Sequence, residues 1–195
     1  DVAMMDGCVP FNSLDGAGFL VSGEEPKREG ERLNGGSMYD YYETKDGQYM
    51  SVGSLEPKFW KDFCMAIGRE DLIEGTVWPE NIAEVKAEIR GIFKTKTRDE
   101  WVEVFSHYDA CVQPVLNLRE ALLEDEQVKD RKMVVDVDLP LHAGVKVKQL
   151  ATAIKLSECP CEYKFAGYPL GYHTKEMIDK LGLNYDELEA KGVFN

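Results

Sequence analysis

Between Tyr42 and Phe63 the apolar positions change their spacing from every second residue to every third or fourth. Over Gln48 to Ser54, Tyr49, Ser51 and Gly53 alternate with Met50, Val52 and Ser54, as in a strand. Asp46-Gly47 separates that stretch from Met38 to Thr44, which is also rich in β-forming residues, and predicts a hairpin turn. Pro57 suits the first turn of a helix, where its missing N–H has no partner to lose and its φ is already helical. Phe59, Trp60, Phe63, Cys64 and Ile67 then fall at helical spacing. Glu56 is therefore expected at a strand-to-helix junction, fixed and partly sheltered beside the positive end of a helix dipole.

The rest of the chain divides by the same criteria. Asp1 to Leu20 reads as a helix bent at Pro10 and ending near Gly16 or Gly18, and Ser22 to Gly36 as a charged, Gly-rich linker. In that linker Lys27, Arg28 and Arg32 alternate with Glu24, Glu25, Glu29 and Glu31, as on a solvated face. Gly35-Gly36 marks a loop that either turns or approaches a ligand closely. Trp78-Pro79 opens a helical stretch with Ile82, Val85, Ile89 and Phe93 on one face. Thr97 to Glu100 is a capping box, with Trp101, Val104 and Phe105 as the buried side of the next helix. Asp109 to Leu116 reads as a short buried strand with an inert thiol at Cys111, and Asn117 to Glu120 as a second capping box. A short helix over Gln127 to Arg131 precedes a strand pair, Met133 to Leu139 with Val145 to Val147. Thr174 to Leu181 and a helix begun by Asn184 and Glu187 close the chain.

Composition narrows the partners. A hydrophobic fraction of 44% supports a packed core, while a net charge of −13 argues against nucleic acid and anionic membrane. No apolar run reaches membrane-spanning length. The five cysteines lack a disulfide spacing and point to a reduced, cytoplasmic setting. Cys159-Pro160-Cys161 has no second cysteine pair to complete a four-ligand site, so no metal is expected.

The string VGSLEPKFW around Glu56 resembles the VGA-(I/L)-EPQFY segment of the α-methylacyl-CoA racemases, within the family III CoA transferases. The opening DVAMMD resembles a helix near the middle of family members, DACVQPVL resembles a family strand, and LGYHT resembles the family's LGEHT with Tyr172 in place of the Glu. The resemblance covers nearly all of this chain but about the C-terminal half of a family member. It implies an α+β fold in three parts. Residues 1–34 are a helix and linker from a Rossmann-like large domain, 35–150 a small α+β domain, and 151–195 the helices that return to the large domain.

It also implies a role for each candidate residue. Glu56 is the catalytic acid/base. Arg28 and Arg32, Gly35 and Gly36, and Tyr42 lie near the bound CoA thioester, although the equivalent family stretch, GGAPFY, has a Pro and one more residue before the shared Tyr and the loop here departs from it. CoA is the substrate's carrier, with no cofactor held permanently. The opposing His and Asp of the racemases belong to the half not covered, and His107, His142 and His173 do not lie in their motif. The expected assembly is an interlocked homodimer completed by an N-terminal half or a partner subunit. Inversion at the α-carbon is the first expectation. Transfer of CoA between carboxylic acids is the second, and a non-catalytic module awaiting its partner is the third.

Overall fold

The structure, a computed structural model, describes residues 1–33, 35–74 and 81–194. Trp78-Pro79 and Asn34 lie outside the described residues. The protein is a mixed α+β fold whose contacts divide it into two units, Asp1–Val115 and Leu116–Asn195. The division falls inside the stretch 35–150.

The first unit holds three antiparallel strands in the order β1 (Asp40–Glu43), β2 (Tyr49–Val52) and β3 (Val112–Pro114). The first two form the expected hairpin, with Tyr42 opposite Met50 and Glu43 opposite Tyr49. The turn is one residue longer than a tight Asp-Gly turn. Gly47 donates its N–H to the Thr44 carbonyl and takes a φ of 73°, a conformation without steric penalty only for Gly. β3 is an edge strand, which tolerates Pro114 because no further strand asks for its N–H.

Alternation puts Tyr42, Met50 and Val52 on the inner face of the sheet, and three helices cover it. These are α3 (Pro57–Ala66), α4 (Ile82–Phe93) and α5 (Arg98–Phe105). Each buries the stripe its spacing predicts: Trp60, Phe63 and Cys64; Val85, Ile89 and Phe93; Trp101 and Phe105. Phe93 is the hub, with its ring 5.0 Å from Tyr42 and 4.9 Å from Trp101. The indole N–H of Trp101 donates to the Phe93 carbonyl at 2.8 Å, and that of Trp60 to the Leu72 carbonyl at 2.9 Å. These bonds let large rings bury their polar atoms without an unsatisfied donor. Thr97 and Glu100 form the full capping box at the start of α5. Burial pushes the Cys64 thiol up to about 12.

The N-terminal segment differs from its expected extent. α1 (Met4–Cys8) passes through a 3-10 turn at Val9–Asn12, where Pro10 breaks the α-helical bonding, into α2 (Ser13–Ser22). The helix runs past Gly16 and Gly18 and stops at Gly23, whose φ of 73° ends it. Gly in a helix interior weakens but does not terminate it.

In the second unit, Asn117 and Glu120 exchange the expected cap bonds, and a π-helical turn follows over Glu120–Glu124. α6 (Glu126–Asp130) leads to β4 (Val134–Asp138) and β5 (Lys146–Leu150), paired antiparallel with Val134 opposite Leu150. Lys148–Asp136 and Lys146–Asp138 are cross-strand ion pairs. α7 (Thr174–Lys180) and α8 (Tyr185–Ala190) end the chain, the latter capped by the Asn184 side chain. Among the described residues no helix is long and apolar enough to cross a membrane.

Candidate functional site

Glu56 is the N-cap of α3, with extended backbone (φ −79°, ψ 145°), and its carbonyl accepts the N–H of Trp60 at 2.9 Å. Its side chain makes no cap bond to the helix and is exposed. The shelter expected for it is therefore not supplied by the described residues: Glu56 and Leu55 line an open groove. That groove has a volume of about 800 Å³. Leu14, Phe19, Leu33 and Leu55 give it an apolar floor. Among its described lining residues five carboxylates, Asp15, Glu24, Glu25, Glu31 and Glu56, face one guanidinium, Arg32. Arg32 is held by its backbone: its carbonyl accepts from the buried Ser37 hydroxyl at 2.7 Å.

Beside Glu56, Lys58 donates to Asp109 at 2.5 Å across the surface. The neighbouring Cys111 corrects the expectation of a buried thiol, since its side chain is exposed. A φ of 50° re-aims it while its carbonyl accepts the Gly53 N–H, so the chain reverses its side-chain facing just before β3. Its thiol is raised by partial burial, and further by the negative charges of Asp109 and Glu56. It is a poor nucleophile as it stands.

The other candidates are separated. Gly35 and Gly36 line a second groove of about 890 Å³ with Tyr39, Asp40, Lys86 and Arg90. Gly36 is there for close packing, because a Cβ at that position would meet the Gly30 carbonyl oxygen at 2.1 Å. Arg28 is exposed, 3.7 Å from Glu29. Tyr42 lines neither groove. It is wholly buried, its hydroxyl donates to the Met38 carbonyl at 3.0 Å, and burial raises its pKa far above the usual tyrosine range. Glu56 and Arg32 thus share a groove, Gly35 and Gly36 share another, and Tyr42 belongs to the core.

Two features went unread in the sequence. Glu24 and Glu25 look like a solvated charge run, and only the path of the linker past α2 turns them to the groove. Lys86 was legible: it stands four residues after Ile82, on the buried face of α4. It is buried, 2.6 Å from Asp40, and donates to the Gly35 carbonyl at 2.7 Å. For Asp40, burial acts to raise the carboxyl, but the Lys86 hydrogen bond, the Tyr41 N–H and the charges of Lys86 and Arg90 together hold it below the usual range.

The chain is an α+β fold with a glutamate presented at a strand-to-helix junction. The sequence matches CoA-transferase family III over residues 1–174, and the chain belongs to that family. It is 27% identical over 191 residues to the human alpha-methylacyl-CoA racemase, covering 96% of this chain and 48% of that protein. To the formyl-CoA:oxalate CoA-transferase of Escherichia coli O157:H7 it is 28% identical over 155 residues, covering 76% of this chain and 36% of that one. The chain spans about half the length of the racemase it matches. In structure it is similar to a CAIB/BAIF family protein from Brucella suis, with a TM-score of 0.65 at 20% identity over 87% of this chain and 44% of that one. A likeness to Rv3272 of M. tuberculosis also has a TM-score of 0.65, at 19% identity over 88% of this chain and 45% of that one.

Proposed function

We propose that the chain forms one wall of an acyl-CoA site, and that Glu56 exchanges the α-proton of a 2-methylacyl-CoA thioester as an α-methylacyl-CoA racemase does. The observation that carries this reading is the Glu56 carboxylate at the N-terminus of α3, on the edge of a groove with an apolar floor. The groove's volume of about 800 Å³ is that of a small-molecule site.

The thioester carbonyl makes the α-proton acidic. Glu56 takes that proton and the electron pair of the C–H bond moves to the thioester oxygen, giving an enolate. An acid on the opposite face then returns a proton to the α-carbon, and the configuration inverts with nothing consumed. The enolate needs hydrogen-bond donors where its charge develops, and an exposed carboxylate needs water excluded around it. Both requirements call for a second wall, from a partner subunit or an N-terminal half in an interlocked dimer. By itself the chain is expected not to turn over. CoA enters and leaves with the acyl group, in the cytoplasm, with no group bound permanently. Arg28 and the Gly35–Gly36 loop, which lie outside the lining of the Glu56 groove, are the candidates for contact with its phosphates and pantetheine, and Arg32 lines the acyl groove itself.

A second reading, CoA transfer between carboxylic acids, is favoured by the match to the formyl-CoA:oxalate CoA-transferase. Incubating the complete assembly with 2-methylacyl-CoA in deuterated water separates the two. Deuterium at the α-carbon without an acceptor acid supports the racemase reading. Thioester exchange that depends on an acceptor acid, without label, makes the protein a transferase. Glu56→Gln is expected to abolish label incorporation, and normal incorporation by that variant would overturn the role given to Glu56.

A further inference from the structure

We infer that the Glu56 groove selects acyl groups by charge: it admits an apolar acyl chain that is neutral or cationic at its far end, and refuses one bearing a second carboxylate. This rests on reading that groove as the acyl site. The site is defined by its apolar floor and by Glu56, and the surrounding charges decide what it takes.

The floor is open to a ligand, since Leu14 is 70% exposed and Leu33 47%. The carboxylates are distributed along it. Asp15 lies in the first turn of α2, and Glu24 and Glu25 lie just past its last residue. A ten-residue helix is about 15 Å long, and the screening length in physiological salt is about 8 Å. An anionic group anywhere along the groove therefore stays within reach of at least one of these charges. Glu31 is fixed among them, its carboxylate accepting the Lys27 N–H at 3.1 Å. The C-terminal end of α2, the negative pole of its dipole, lines the same groove through Phe19 and Ser22 and acts in the same direction. Among the described lining residues Arg32 supplies the one guanidinium. A free carboxylic acid, the co-substrate that CoA transfer requires, meets the same repulsion. The groove thus favours chemistry that needs no second carboxylate.

The chain itself can be tested with probes of equal length, watching the side-chain NMR signals of Leu14, Phe19, Leu33 and Leu55. Octyltrimethylammonium and octanol are expected to move these signals, and tetramethylammonium, which lacks the chain, to leave them. Octanoate should bind at least about tenfold more weakly than octyltrimethylammonium, the scale of a close charge contact near a surface. In the double variant Glu24→Gln/Glu25→Gln that ratio should narrow to about threefold or less. The charge-matched control Glu126→Gln/Glu158→Gln, in the second unit, should leave it unchanged. Octanoate binding as tightly as the cation, or the two double variants acting alike, would overturn the inference. If the assembly shows no α-proton exchange while the preference stands, the reaction is wrong and the selectivity remains; the opposite pair of results removes only the selectivity.

Discussion

The helices α1 and α2 and the helices α3 to α5 are similarly rich in apolar residues, yet they meet opposite fates within one unit. α3, α4 and α5 bury a full stripe against the sheet, whereas α1 and α2 bury no residue at all. Val2, Phe11, Leu20 and Val21 are 97%, 91%, 84% and 91% exposed. Large apolar side chains along this segment thus stay in solvent. Local pattern builds a helix in both places, but only the second set finds its complement in this chain. That is consistent with a chain spanning about half of the racemase it matches.

The sharpest break of this comparison exchanges one aromatic residue on each side. Phe93→Ala should remove about 3–5 kcal/mol from the first unit, since it opens a cavity beneath Tyr42 and Trp101. Against a total of about 5–15 kcal/mol, that is a large share of the stability of the unit. Phe11→Ser should change stability by no more than about 0.5 kcal/mol, and should reduce self-association. Urea unfolding followed by tryptophan fluorescence, with light scattering alongside, checks both. Equal losses for the two variants would mean that α1 and α2 carry packing the structure does not contain.

Much of this division could be read from the sequence, and the reason is physical. Burial periodicity is a local property, so the stripes of α4 and α5 and the cap at Thr97 were legible before any fold was known. Glu56 was legible as a helix-start residue because Pro57 fixes the position. Cys111 was not, since a non-glycine residue with positive φ has no local signature. The groove was not legible either. It depends on where the linker returns past α2, and residues 24 and 25 carry no mark of that path. Tyr42 shows the limit of resemblance, because a shared aromatic position in the hairpin is a core position here.

A middle-sized effect is expected at Lys86, the one charge buried on the face of α4. Replacing it with Met keeps the apolar stem but leaves Asp40 without its closest partner. Asp40 keeps some exposure and the Arg90 contact, at 3.3 Å, so the loss should be about 2 kcal/mol rather than the full cost of breaking a wholly buried pair. The pH dependence is sharper than the magnitude. A carboxyl held below its ordinary value of 3.8 when folded adds stability that is present above that value, and is lost as pH falls through the folded pKa. Wild type should therefore lose, as pH falls below about 3.8, stability that Lys86→Met has already lost. Parallel acid losses in the two proteins would show that Asp40 does not depend on Lys86.

The smallest expected effect is at Glu56. Its side chain makes no cap bond and is exposed, so Glu56→Gln removes only its favourable interaction with the positive end of α3. That is worth about 0.5 kcal/mol or less at an exposed helix start. The urea midpoint of this chain should barely move, and what shift there is should shrink further in high salt. A loss of 2 kcal/mol or more would give the carboxylate a structural duty and weaken the case for a catalytic one. A residue that costs the fold almost nothing to neutralise, on the rim of an apolar groove, is free to be kept for its chemistry. Phe93, by contrast, is kept for packing, and the two substitutions measured together place the boundary between the packed side of the unit and the side that opens to the groove.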